Sequence, residues 1–129
     1  MDTRLAVYWD FESLHGALCG IRRGADWLAQ NRFSKQDALI DVAAIMEFVV
    51  GLGSVDTNKA YADWGAMEGY APALQRHSAD LHQQFYPDGA PRLGADIRMA
   101  FDIVEDITQD PALGTVVLVG GGSEYLSLT

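Results

Sequence analysis

The chain has 129 residues, 49% of them apolar, and 18 acidic against 9 basic side chains give a net charge of -9. That length suits one domain with a real core, and the acidic balance excludes a protein that coats nucleic acid by bulk positive charge. A nuclease stays open, because carboxylates that hold a metal ion add negative charge themselves.

Leu5 to Trp9 is an unbroken apolar run ending at Asp10, and it reads as a buried strand. Residues 20 to 33 carry no clear period. Ser34 then reads as a helix N-cap, with Asp37 three residues on close to a capping box. Leu39, Val42, Ala43, Ile45, Met46, Val49 and Val50 follow at helical spacing, and Gly51 and Gly53 supply the stop. VDTNKAYADW is the second strand, ending near Asp63. YAPALQRHSADL reads as a helix and HQQFYP as a third strand, closed by the turn Pro87-Asp88-Gly89. From Gly94 a helix is expected with Ile97, Met99, Ala100, Phe101, Ile103, Val104 and Ile107 as its apolar members. Thr115 to Val119 is the last strand, read as fully buried, and it runs into Gly120, Gly121 and Gly122.

Strands alternating with helices imply βαβ units and a parallel sheet. Ligands of such sheets bind outside the carboxyl ends of the strands. There the sequence sets Asp10 and Glu12 after the first strand, Asp63 after the second, Arg92 and Asp96 after the third, and Ser123 and Glu124 after the fourth. Oxygen donors from several segments suit a hard divalent cation, Mg²⁺ or Mn²⁺. Two such ions can clamp a phosphodiester displacement. Each acid also has a plainer role as a helix cap or an N-terminal charge. Asp63 reads as a turn or cap beside Trp64. Asp102, six residues past Asp96, lies about 120° away around a straight helix and reads as peripheral on geometry. The three histidines show no metal-ligand spacing. His77 and His82 read as surface residues, and His15 as a candidate neighbour of Asp10. The glycines could cradle phosphate on backbone N–H groups, but GGGSEY matches neither common phosphate-loop pattern.

Cys19 is the only cysteine, which excludes an internal disulfide and suits a reducing compartment. Met1-Asp2-Thr3-Arg4 is followed by only LAVYW before Asp10, so no secretory leader is expected. Its most apolar stretch, ALIDVAAIMEFVVGLG, is broken by Asp41 and Glu47, short of the ~20 residues a membrane crossing needs. A soluble cytoplasmic protein is expected.

VYWDFESLH resembles the first motif of NYN domains, PIN-like nuclease relatives in which a strand runs into D-x-x-N. AYADW resembles their second strand, RLGADIRMAFDIVEDI their K-x-x-x-D helix with a further Asp six residues on, and VVLVGGGSEYLSL their closing S-G-D-x-D-F-x-P-L motif. The resemblance implies a PIN-like α/β fold, a three-layer α/β/α sandwich with a mostly parallel central sheet. It also implies Mg²⁺- or Mn²⁺-dependent cleavage of RNA, expected to be single-stranded. By position, Asp10, Asp96 and Glu124 match catalytic and metal-holding acids, and Asp102 matches a further metal ligand, against its geometric reading. Arg92, Ser13 and Ser123 fall at substrate-contacting positions. Arg92 stands for the family's Lys and Ser13 for its Asn. Gly120 replaces Ser, Gly122 the first Asp, Glu124 the second, Tyr125 the Phe and Ser127 the Pro. The glycine run therefore resembles an eroded metal-binding turn.

In the family a helix and a strand follow this motif. Residues 1–129 are thus expected to be a single domain incomplete at its C-terminal end. Its last strand would be covered by a second copy or a partner chain. Two functions stand side by side: a nuclease, and a catalytically weakened module that binds RNA or protein. Nucleotide binding at the glycine turn is a third.

Overall fold

The computed structural model describes residues 3–11, 14–15, 40–65, 67–83 and 93–120, with 93–97 described by their backbone alone. Its elements in chain order are β1 (Arg4–Asp10), α1 (Val42–Val50), β2 (Ser54–Ala62), a 3-10 turn (Glu68–Tyr70), α2 (Ala71–Arg76), β3 (Asp80–Gln83), α3 (Leu93–Gln109) and β4 (Thr115–Val119). The four described strands form one sheet in the order β3-β2-β1-β4, and every pair is parallel.

The apolar run Leu5–Trp9 takes the central position, and all five of its side chains are fully buried. A strand covered on both faces needs such a run. Alternation splits it between two layers. Leu5, Val7 and Trp9 pack with Val42 and Met46 of α1 and Leu74 of α2, whereas Ala6 and Tyr8 pack with Tyr61 and with Met99 of α3. Helices on both faces make the three-layer α/β sandwich expected of a PIN-like fold. No described helix is long and apolar enough to cross a membrane.

Four details differ from the sequence reading. The cap of α1 is Asp41, whose Oδ1 accepts from the Ala44 N–H at 3.0 Å. Ile40 and Asp41 are not helical, so no continuous helix runs from Ser34 to Val50. Ser34, Asp37 and Leu39 lie outside the described residues. The stop at Gly53 has a packing cause: a Cβ there would collide with the Thr3 carbonyl, to which Ser54 N–H donates at 2.7 Å.

The helix read through Leu81 ends at Arg76. Ser78 turns the chain in the left-handed region with φ 61°, so Asp80 and Leu81 already belong to β3. Phe85, Tyr86 and the turn Pro87-Asp88-Gly89 lie outside the described residues. On α3 the apolar positions are divided. Met99 is buried, but Phe101, Val104 and Ile107 are 72%, 64% and 41% exposed. Finally, β4 is an edge strand of the described sheet. It pairs with β1 alone, and Val116 to Val119 are half-buried rather than fully buried.

Candidate functional site

The side of the sheet that faces α3 carries Asp10, Tyr8, Lys59, Tyr61 and His82. In register, Tyr8 of β1 lies beside Lys59 of β2, and Asp10 lies beside Tyr61. Tyr61 in turn lies beside His82 of β3. Asp10, Tyr61 and His82 thus form a row near the carboxyl ends of three strands. One residue beyond the last pairing of β1 with β4, Trp9 with Val119, Gly120 comes level with Asp10.

Across this face, α3 presents Arg98, Asp102 and Asp106, four residues apart and so along one line of the helix. The Tyr61 hydroxyl donates to Asp102 Oδ2 at 2.6 Å. The Tyr8 hydroxyl donates to Asp106 Oδ2 at 2.8 Å. Lys59 Nζ donates to both oxygens of Asp106, at 3.0 and 2.8 Å. Further down, Arg4 pairs with Asp110 and Asp56. These bonds let a helix lay carboxylates against a sheet: buried acids are tolerated when donors meet them.

At the carboxyl edge the arrangement is looser. Arg98 Nε stands 3.9 Å from Asp102 Oδ2, and Arg98 Nη2 lies 3.2 Å from His82 Nδ1. The His82 ring stacks on Tyr61, with centroids 5.0 Å apart and planes at 23°. A guanidinium only donates, so His82 Nδ1 accepts and the ring proton is assigned to Nε2. Burial lowers the His82 pKa, and the Arg98 charge lowers it further. Both phenols move the other way. Burial raises Tyr61 and Tyr8 well above the usual range, and the carboxylate each one bonds adds to the shift. All three rings are therefore neutral near pH 7.

Asp10 ends β1 and is 3% exposed. Asp102 faces the sheet, where Tyr61 holds it, and so is not peripheral as the straight-helix estimate had it. Position 102 lies three residues after the buried Met99, or about 60° from that line, which still meets a neighbouring strand. Asp96 falls in the first turn of α3, and its side chain is outside the described part. Glu12, Ser13, Arg92, Gly122, Ser123 and Glu124 also lie outside the described residues. Among the described residues no group of three His, Cys, Asp or Glu side chains could hold a metal ion. The donors described at this edge, Asp10 and Asp102, are hard oxygens of the type Mg²⁺ and Mn²⁺ take.

Asp63 has the turn role expected of it: its Oδ1 accepts from Gly65 N–H at 3.1 Å and from Gln83 Nε2 at 3.0 Å. His15 is fully buried. It lies 2.9 Å from the Tyr70 hydroxyl, in the layer opposite α3, and that hydroxyl also accepts from Ile40 N–H. His82 is half-buried in the row of Asp10 rather than a surface residue. Sequence reasoning missed Tyr8, Tyr61, Lys59, Arg98 and Asp106. The available signal was the Arg98-Asp102-Asp106 spacing together with tyrosines on the same parity as Asp10.

A cavity of about 420 Å³ is lined by Asp56, Asn58, Lys59, Arg76, His77 and Asp106 among others, and neither Asp10 nor Tyr61 borders it. The acidic edge is thus a separate feature.

The family model of the NYN domain matches residues 4–129. No curated protein and no solved structure matches the chain.

Proposed function

Because the chain belongs to the NYN domain family, relatives of the PIN-like nucleases, we propose that it is a divalent-metal-dependent ribonuclease acting on single-stranded RNA. The observation that carries this reading is Asp10: a buried acid at the carboxyl end of the central strand, level with Tyr61 and its partner Asp102. In this proposal Asp10, Asp96 and Glu124 hold Mg²⁺ or Mn²⁺ with the help of Asp102. Arg92, Ser13 and Ser123 contact the substrate. A cytoplasmic location belongs to the same proposal.

A bound divalent ion supplies Lewis acidity, which makes a water more acidic and offsets charge on the phosphoryl oxygens. The chain's own groups do the rest. Asp10 and Asp102 provide charge and fixed oxygens. Tyr61, kept neutral by its raised pKa, donates to one oxygen of Asp102 and leaves the other to a ligand. Arg92 would offset phosphate charge, as arginine does by its planar fork. Glu124 is one methylene longer than the Asp it replaces, so it would reach the site through a different rotamer.

Slow, Mn²⁺-dependent cutting of single-stranded RNA that Asp96→Asn abolishes is the expected result. Gly122→Asp should raise the rate if loss of an acid at that turn limits catalysis. If wild type and Gly122→Asp both leave RNA intact, the second reading takes over: a weakened domain that binds RNA or protein. Gly122, Ser13 and the charge of -9 favour that reading.

A further inference from the structure

Among the described residues three basic side chains meet the line of acids on α3, and they are not equivalent. Arg4 is bound by Asp110 and Asp56. Lys59 gives hydrogen bonds to both oxygens of Asp106. Arg98 is spent differently. Its Nε is 3.9 Å from Asp102, beyond hydrogen-bond length, and the Asp102 oxygen it faces already takes the Tyr61 hydroxyl at 2.6 Å. Its described hydrogen bond goes to His82, whose ring nitrogen carries no charge. Arg98 therefore keeps a cation that is only partly offset, and its side chain is 50% exposed.

Its position is also set. His82 is fixed by stacking on Tyr61 and by its place in β3, in register with Tyr61 and so in the row of Asp10. By accepting from Nη2, the His82 ring holds the guanidinium at the carboxyl edge with donors to spare among its five. A planar fork with free N–H groups suits phosphate oxygens. An i,i+4 surface pair with Asp102 would by itself contribute little to stability.

We infer that Arg98 binds a backbone phosphate of the nucleic acid beside the acidic site, and that His82 is the positioning residue that aims it. The inference rests on the proposed RNA substrate, but it does not need cleavage to occur. It gives the RNA a phosphate-binding arginine in addition to the one proposed at Arg92.

The test measures fluorescence anisotropy of a labelled single-stranded RNA with the full chain, in EDTA to prevent cutting, over a series of salt concentrations. Arg98→Gln should weaken binding several-fold. The slope of log affinity against log salt should become shallower by about 0.7, as expected when one phosphate of a single strand is no longer neutralised. Arg98→Lys should restore the slope. His82→Phe, which keeps a ring on Tyr61 but removes the acceptor, should give part of the loss, and His82→Gln should recover it.

An unchanged slope in Arg98→Gln overturns the binding of phosphate by this side chain. Unchanged affinity in His82→Phe overturns the positioning role. A wild type that cuts RNA in Mn²⁺ while Arg98→Gln keeps its slope sinks this inference and leaves the nuclease reading standing. An Arg98-dependent slope in a chain that never cuts RNA does the reverse. A wild type that does not bind RNA overturns the inference outright.

Discussion

Tyr61 of β2 donates a 2.6 Å hydrogen bond to Asp102 of α3, and through it the sheet holds the helix next to Asp10. Four residues on, Tyr8 makes the same kind of bond to Asp106, which Lys59 also meets. The two bonds fix the rotation of α3 about its own axis. Any side chain on the helix line that passes Asp10 takes its place from them.

This ladder predicts a loss of stability in alkali. Both phenols are held above their usual value of ~10, first by burial and then by the bonded carboxylate. Above that value the unfolded chain gives up protons that the folded chain keeps, so unfolding becomes easier as pH rises. The contribution is fully present below pH ~10 and is lost above it. Urea midpoints measured on both sides of that pH should fall in the wild type, and the fall should be smaller in Tyr61→Phe. Equal falls in the two proteins would show that the phenol is not held as described.

Asp106→Ala should be among the more damaging changes on α3. It leaves Lys59, whose side chain is 20% exposed, and the Tyr8 hydroxyl without their common acceptor. Removing one member of a mostly buried pair costs about 2–3 kcal/mol once its residual exposure is allowed for. Asp106→Asn keeps an acceptor for Tyr8 and should cost less. Chemical denaturation of the two variants checks the order. If Asp106→Ala matched the wild type, the pair would be a surface decoration.

How much of this was legible in the sequence depends on distance along the chain. The central strand was plain, because Leu5 to Trp9 must be apolar on both faces. The inner face of α3 was not. Its periodic apolar residues include Phe101, Val104 and Ile107, which the structure leaves exposed. The side that meets the sheet carries Met99, Asp102, Ile103 and Asp106. Those acids are acceptable there only because Tyr8, Lys59 and Tyr61 supply donors from segments more than 40 residues away. No local pattern reports such a partner. The α1 cap failed for a smaller reason: Ser34 and Asp41 both suit the role, and propensity does not choose between them. At the site, Asp10 was legible as an acid ending a buried strand. His82 and Arg98 were not, since strand register joins His82 to it and only the contact with His82 brings in Arg98 from α3.

Metal dependence has its own signature. Like charges gathered at one edge repel one another when no cation is present. A divalent ion that binds the folded chain must then raise its melting temperature by mass action. Millimolar Mn²⁺ should produce that rise, and Asp10→Asn should remove it. A melting curve that does not respond to Mn²⁺ would argue strongly against an intact site.

The last prediction concerns β4. Among the described residues it pairs with β1 only, and no described strand lies along its outer edge. Such edges are normally blunted by a charge or a proline. Val116 to Val119 contain neither. The helix α3, whose Ile103 packs in one cluster with Val116 and Leu118 of β4, also carries the exposed Phe101, Val104 and Ile107. An apolar edge beside an apolar helix face is the pattern of an interface, and a two-fold axis would let one edge pair with its own copy. We therefore expect the 129-residue chain to self-associate. Thr115→Lys, which charges the edge, should shift it toward monomer if the strands pair. Val104→Glu should do so if the helices meet. Light scattering of the wild type and both variants tells these apart. A wild type that stays monomeric at high concentration, with one cooperative melt, would show that the edge is already covered.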